Sequence, residues 1–309
     1  MTADFPAGPS EKRRDDPGAS AIADWWRSSI TDIAPNQIRV RGYPIQDLIG
    51  TITFPAMVWL MTRGELPSPQ QARLLETVLV AGVDHGPLAP SLSIARMAAT
   101  CGVGLNNAMA SGVNVLGDVH GGAGEQCMEL LGGIVRDPAF AGDPAQVARA
   151  HVEAFQAANG RYLPGFGHRY HKIDPRSVRI SALLEEAVSQ RIVEGGALEA
   201  ARKVEAVLAT NGRVVPINID GITAVVLLEL GFPAALGRGL FILSRSVGIC
   251  AHAWEQMQEG GRIKGPVPKE FTYSYQGPAL RSVPQGWTAR TRRLTAGESN
   301  GADQLPDQN

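Results

Sequence analysis

Cysteine is scarce and badly placed for cross-linking. The 309-residue chain has three, Cys101, Cys127 and Cys250, odd in number, far apart and without a C-x-x-C pair. Neither a disulfide framework nor a zinc knuckle is written in such spacing, and a reducing cytoplasm is the expected setting. Aromatic residues supply only 6% of the chain and charged ones 19%, against 44% hydrophobic overall. The interior must therefore be built mainly of Ala, Val, Leu and Ile, which favours helices packed closely through small side chains. A surplus of charge is also lacking: the formal net charge is −1, which leaves no overall field to gather nucleic acid or an anionic membrane. Residues 1–20 hold no apolar h-region and no stretch of 18 uncharged apolar residues follows, so neither export nor membrane spanning is expected.

What is present is a globular chain rich in turns. Glycine and proline number 35 and 21, short of the ~25–30% that marks low complexity. At roughly 150 residues per domain the length suggests about two domains. Both ends, 1–20 and 287–309, lack apolar periodicity and read as disordered tails. Between them helix punctuation is clear. Ser68-Pro69-Gln70-Gln71 offers a cap, a first-turn proline and a capping-box glutamine ahead of Leu74, Leu75, Val78 and Leu79, ending near Gly82. Asp143-Pro144 and Asp174-Pro175 open two more helices in the same way. Residues 91–117 are dominated by Ala, Ser, Gly and Asn, with Ser91 as a cap and Gly102 and Gly104 dividing two closely packed helices. From Pro233 to about Glu259, Leu236, Leu240, Leu243, Val247, Cys250 and Trp254 form one helical stripe, which predicts a long buried helix. The one convincing β-like run, 213–219, carries Pro216, which demotes it to an edge or an extended lead-in. The fold class is all-α, without a wound sheet or a fixed-period repeat.

Several signatures of chemistry are missing: no P-loop, no G-x-S-x-G elbow and no H-E-x-x-H. Gly102-Val-Gly104-Leu-Asn-Asn107 follows no strand and has Asn107 where a dinucleotide fingerprint needs its last glycine. What remains is a set of polar residues at element ends, Asp84-His85-Gly86, Gly117-Asp118-Val119-His120-Gly121-Gly122, Pro164-Gly165-Phe166-Gly167-His168 and Asn218-Ile219-Asp220-Gly221. A glycine neighbour leaves a histidine open to a ligand and lets backbone amides approach it. Histidines near helix N-termini stay neutral, and a neutral imidazole can donate to a carbonyl oxygen. Each residue also has a structural reading. Asp220 is a good N-cap before an apolar helix, Arg245 can snorkel from its helix flank, and His252 reads as structural or solvated. His168-x-x-His171-x-x-Asp174 has metal-ligand residue types, but its glycine and proline flanks deny it a helical face.

Taken in order, Arg41-Gly42-Tyr43-Pro-Ile-Gln-Asp47, DHG at 84–86, GDVHGG at 117–122, PGFGHRYHKIDPR at 164–176, NIDG at 218–221 and SRSVG at 244–248 resemble the citrate synthase superfamily. That superfamily includes citryl-CoA lyases and the lyase module of ATP-citrate lyase. The likeness runs from about 39 to 260. It implies a helical homodimer or higher homo-oligomer whose large domain (21–88 and 231–286) and small domain (89–230) close on acetyl-CoA or citryl-CoA and oxaloacetate or citrate. It also implies roles. His85 matches the histidine on the thioester carbonyl, His120 the one that polarises the ketone of oxaloacetate, and Asp220 the base that takes the methyl proton. His168, Arg176 and Arg245 match ligands of the dicarboxylate, and Gly121, Gly122, Gly165, Phe166 and Gly167 look like parts of the CoA site.

The chemistry agrees. A thioester methyl is a poor acid, so its base must be paired with a donor aimed at the oxygen where charge develops, worth roughly 3–4 kcal/mol. Arginine forks suit planar carboxylates, and no metal or redox cofactor is required. Departures from the pattern bear on the reaction. His85 comes early, and Lys264-Gly-Pro-Val-Pro268 stands where synthases carry an arginine reaching the partner's citrate, with Arg281 as a candidate replacement. These features resemble the compact citryl-CoA lyases, whereas the intact VHGG resembles a synthase. The expectation is a citryl-CoA lyase, with citrate synthase or a 2-methylcitrate synthase-like enzyme as the alternative and a non-catalytic CoA-binding paralogue as the reading from another class.

Overall fold

The computed structural model describes residues 24–168, 172–209, 214–268, 270–271 and 274–284; the expectations for the two tails and for His171 lie outside them. The chain divides after Lys264 into a compact unit and a second unit from Gly265. In the second, the described residues form no helix or strand, and Phe271, Tyr275, Leu280 and Val283 are exposed.

Eleven helices among the described residues make the first unit all-α: α1 (Ile45–Leu48), α2 (Phe54–Arg63), α3 (Pro69–Gly82), α4 (Pro90–Ala99), α5 (Leu105–Val113), α6 (Ala123–Arg136), α7 (Pro144–Asn159), α8 (Pro175–Ser189), α9 (Gly196–Leu208), α10 (Ile219–Glu229) and α11 (Ala234–Glu259). The cap grammar explains their starts. Ser68 and Gln71 form a reciprocal capping box on α3, Asp143 accepts from the Gln146 amide on α7, and Asp174 accepts from the Arg176 amide on α8, each with proline at the first helical position. Gly102, at a φ of +83°, breaks the chain between α4 and α5 as expected. The cap of α4, however, is Ala89; Ser91 lies inside the first turn and is fully buried.

The largest core gathers Leu75, Leu131, Ile134, Leu184, Ile222 and Leu227, each no more than 2% exposed, and full burial of such a side chain stabilises by about 1.5–3 kcal/mol. A second core of Leu92, Ala95, Ala108, Ile249 and Ala253 joins α4, α5 and α11. There the small residues do what their composition suggested: a Cβ on Gly112 would lie 2.7 Å from the Ser91 carbonyl oxygen.

Two expectations are corrected. The strands lie in a segment not read as β: the only sheet among the described residues is a three-stranded antiparallel meander, β1 (Thr31–Ala34), β2 (Gln37–Val40) and β3 (Tyr43–Pro44). The described part of the 213–219 run is the extended lead-in to α10 that Pro216 allowed, with one isolated bridge, Phe166 to Ile217. The stripe on α11 is also not the buried face. Leu240 is buried, but Leu243, Val247 and Trp254 are 38%, 60% and 54% exposed; Gly237, Ser244, Arg245, Gly248, Ile249 and Ala253 face the protein instead. By length and composition α11 could cross a bilayer, but here it packs against α3, α4, α5 and α6.

Candidate active site

The buried face of α11 seats the end of α3 and so places the first histidine. The last carbonyls of a helix have no intrahelical partner. Ser244 Oγ donates to the Leu79 carbonyl at 2.5 Å, and Arg245 Nε donates to that of Gly82 at 3.0 Å. Gly248 lets the two backbones meet, since a Cβ there would lie 2.1 Å from Val83 O. The chain leaves this contact as Asp84-His85-Gly86. Its imidazole stands edge-on to that of His168, ring centroids 6.0 Å apart.

The second histidine is set by the start of α4. His120 Nε2 accepts from the Ser91 backbone amide at 3.2 Å and lies 3.1 Å from Ser91 Oγ. An amide can only donate, so that nitrogen presents its lone pair and the other ring nitrogen carries the proton. Burial holds His120 below the usual histidine range, helped by the Arg245 guanidinium and by His85, and the positive end of α4 acts in the same direction. His120 is thus a neutral donor aimed away from Ser91.

Two glycines bring the third group into place. Gly165, at a φ of +84°, crosses Gly221 so closely that a Cβ on Gly221 would sit 2.2 Å from the Gly165 carbonyl oxygen. Asn218 N–H donates to Gly165 O, Gly167 N–H donates to Pro216 O, and Asn218 Nδ2 donates to Gly167 O at 2.7 Å. The Asn218 Oδ1 accepts the amides of Asp220 and Gly221 at 2.9 and 3.1 Å. Asn218, not Asp220, is therefore the cap of α10, and the Asp220 carboxylate faces the cleft. Burial pushes its carboxyl up from the usual carboxylate range; Arg176, Arg245, His85 and His168 oppose that shift without cancelling it.

His85, His120, His168, Arg176, Asp220 and Arg245, scattered over 161 positions of sequence, all line one cleft of about 940 Å³. Arg176 is held by Asp174 through Nε and Nη2 at 3.1 and 2.9 Å. Both Asp174 oxygens are engaged and the residue is 1% exposed, which argues against its service as a metal ligand. Arg245 is 6% exposed and lies over the Phe241 ring. Its burial lowers it from the usual arginine value while Asp84 and Asp220 act against that. His85 is lowered by burial, then by Arg176 and Arg245, partly offset by Asp220 and Asp174. The site thus holds a proton acceptor of raised pKa beside neutral imidazole donors and two fixed cations.

The glycine loops divide. Gly121 and Gly167 line the cleft, as does Gly124. Gly122 packs on Asp118, Gly165 against Cys127 and Gly221, and Phe166 is 8% exposed in the main core; these three shape the loops and do not line the cleft. Sequence reasoning missed Ser91 and Asn218 as site residues. The one available signal was that both are polar groups beside helix starts, where amides and carbonyls lack partners.

Residues 67–266 match the family described as "Citrate synthase, C-terminal domain". The chain is 30% identical over 233 residues to "Putative citrate synthase 2" of Mycobacterium tuberculosis, covering 74% of this chain and 58% of that protein. It thus spans somewhat over half the length of the curated relatives it matches. Among solved structures it is similar to the citryl-CoA lyase of Hydrogenobacter thermophilus, with 31% identity, a TM-score of 0.74 and coverage of 85% of this chain and 99% of that one. It is also similar to the citrate synthase of Pyrobaculum aerophilum, with 26% identity, a TM-score of 0.59, and coverage of 76% and 56%. The chain belongs to the citrate synthase family.

Proposed function

We propose that this member of the citrate synthase family is a citryl-CoA lyase, cleaving citryl-CoA to acetyl-CoA and oxaloacetate. The observation that carries the reading is the pairing, in one cleft, of the Asp220 carboxylate with neutral imidazoles and two arginines. The likeness to a citryl-CoA lyase over nearly all of that protein's length supports it. In the condensing direction Asp220 takes a proton from the thioester methyl, the enolate oxygen is held by a donor, and the enolate carbon attacks the ketone carbon. The former ketone oxygen then takes a proton from a second donor. Cleavage runs the same steps backwards: the carbinol proton leaves, the carbon–carbon bond breaks into enolate and ketone, and protonated Asp220 returns a proton to carbon. A positioned carboxylate contributes about 10²–10⁴-fold.

The hydrogen bonds favour an exchange of two roles that the resemblance implied. His120 has its tautomer fixed by Ser91, and a preorganised neutral donor is what a developing enolate requires. His85 instead lies beside His168 and within the field of Arg176 and Arg245, the end suited to the ketone and carboxylates of oxaloacetate. We therefore assign the thioester oxygen to His120, and the ketone and dicarboxylate to His85, His168, Arg176 and Arg245. CoA would run along Gly121, Gly124 and Gly167, with Leu88 and Val119, both highly exposed at the cleft, offered to its pantetheine arm. Exposure of Leu243, Val247 and Trp254 on α11 supports a homodimer with a second copy covering that face. Three free cysteines suit a reducing cytoplasm.

The test is exchange of acetyl-CoA methyl protons with deuterated water in the presence of an unreactive oxaloacetate analogue, which isolates enolisation. His120→Ala and Asp220→Asn should abolish it, while His85→Ala should retain it at saturating analogue. Exchange that survives in His120→Ala but not in His85→Ala would restore the roles implied by the resemblance. Release of free CoA together with citrate from acetyl-CoA and oxaloacetate would favour citrate synthase, and CoA binding with neither reaction a non-catalytic paralogue.

A further inference from the structure

His252 stands seven residues beyond Arg245, two turns along α11, and the chemistry above does not use it. Its Nε2 lies 3.1 Å from Asp84 Oδ1 and its Nδ1 3.3 Å from Arg96 Nη1. A guanidinium has only hydrogens to offer. Nδ1 must therefore turn its lone pair to Arg96, and Nε2 must carry the proton that it donates to Asp84. The other Asp84 oxygen accepts the Gly86 amide at 3.1 Å, so one carboxylate ties the imidazole on α11 to the backbone on the far side of His85. Gly86, at a φ of +80°, allows the turn to close that tightly. Arg96 is anchored in turn by Glu255 and, at 2.8 Å, by Glu259. Exposure is 59% and 52% at these two carboxylates and 45% at Asp84, against 11% at Arg96 and 17% at His252, so the shielded link is the Arg96–His252 contact, where a hydrogen bond is firmest. It fixes the imidazole that reaches out to Asp84. The turn itself has little packing to fix it, since Asp84 and the only partly buried His85 are each more than a third exposed and Leu88 is 92% exposed.

We propose that His252 is a positioning residue for the reaction, acting through Asp84 to fix the direction of His85; this rests on the placement of His85 in the catalytic cleft. A pair serving only to join α11 to the chain would act on stability alone. A pair that aims His85 acts on turnover, and only while His85 is there to be aimed. Double-mutant analysis separates the two. Citryl-CoA cleavage is to be measured in His252→Ala, His85→Ala and the double variant, with thermal melting of each. His252→Ala should lower kcat about tenfold, a loss equivalent to ~1.4 kcal/mol, with little change in KM. His252→Gln, whose amide N–H reaches Asp84 from the same place, should recover most of it. On the His85→Ala background, His252→Ala should change kcat less than about twofold. An equal loss on both backgrounds, or a lower melting temperature with kcat unchanged, overturns the proposal and leaves the site assignment intact. An unchanged kcat in His85→Ala alone refutes the catalytic placing of His85, and this inference with it. Should His252→Ala fail to fold, Asp84→Asn carries the same comparison on the wild-type and His85→Ala backgrounds.

Discussion

Asp220→Asn exchanges a charge for a dipole with almost no change of shape, and on the proposed role of Asp220 it should move activity and stability in opposite directions. In its proposed role as base, Asp220 would contribute about 10²–10⁴-fold, so both methyl exchange and the proposed citryl-CoA cleavage should fall by at least about a hundredfold. The stability effect follows from linkage. Burial raises the Asp220 carboxyl above its ordinary value of 3.8, despite Arg176, Arg245, His85 and His168. A carboxyl whose pKa is higher folded than unfolded holds its proton more tightly in the folded state, so ionising it costs folding free energy. Below the unfolded value of about 3.9 both states are protonated, and the variant should match the parent. As pH rises the unfolded chain ionises first, and the Asn variant becomes the more stable of the two. The gap is complete above the folded-state pKa, each unit of difference being worth about 1.4 kcal/mol. The same raised pKa should place the acid limb of methyl exchange, where Asp220 acts as base, and the alkaline limb of citryl-CoA cleavage, where it acts as acid, above the ordinary carboxylate range. Thermal melts of both proteins between about pH 4 and pH 8, beside the exchange assay, test the reasoning. A variant less stable than the parent at neutral pH would mean that arginine attraction outweighs desolvation; a pH-independent gap would mean that Asp220 is not the ionising group; retained exchange would end its role as base.

Asn218→Ala removes the cap on the Asp220 and Gly221 amides and the tie to Gly167; a cap is worth about 1–2 kcal/mol and the further hydrogen bond ~1, so urea denaturation should show a loss near the sum, with kcat reduced as the loop bearing His168 and the helix start bearing Asp220 separate. Wild-type stability would refute the cap assignment. Gly248→Ala sets a methyl 2.1 Å from Val83 O and should cost about 1–3 kcal/mol or more, with kcat falling as the His85 turn shifts; a variant active and stable as the parent would show that α11 does not seat that turn. Burial, aided by the nearby Asp220 charge, pushes the Cys127 thiol far up, and it is fully buried while Cys101 is exposed. Mass spectrometry after alkylation of the native protein should find Cys101 labelled and Cys127 untouched.

Helix starts were legible because their physics is local. Ser68, Asp143 and Asp174, each followed by proline, satisfy amides within their own first turn, and nothing distant can override them cheaply. The meander was not legible. Its strands are short and largely exposed, so they lack alternation, and its tight turns rest on Asn36 and Arg41 at positive φ instead of the Asn-Gly pair that announces a hairpin. On α11 periodicity identified an apolar face, but the face that packs was chosen by size. Gly248 must meet the α3 backbone, and the larger Leu243, Val247 and Trp254 are thereby left outside.

The distinction between Asn218 and Asp220 shows most sharply what only three dimensions decide. Both are good cap residues, two positions apart at the start of the same helix, and from sequence alone Asp220 reads as the cap. Position 218 lies under the 164–168 loop and must answer two demands at once: an acceptor for the first amides of α10 and a donor for the Gly167 carbonyl. A carboxylate has no hydrogen to give, so aspartate there would leave that carbonyl facing negative charge. Asparagine meets both demands, and because it does, the charged residue two places on is relieved of capping and left to face the substrate cleft. The order Asn-x-Asp thus separates the structural role from the chemical one, and the reverse order would put the amide where a base is needed and the charge where a donor is.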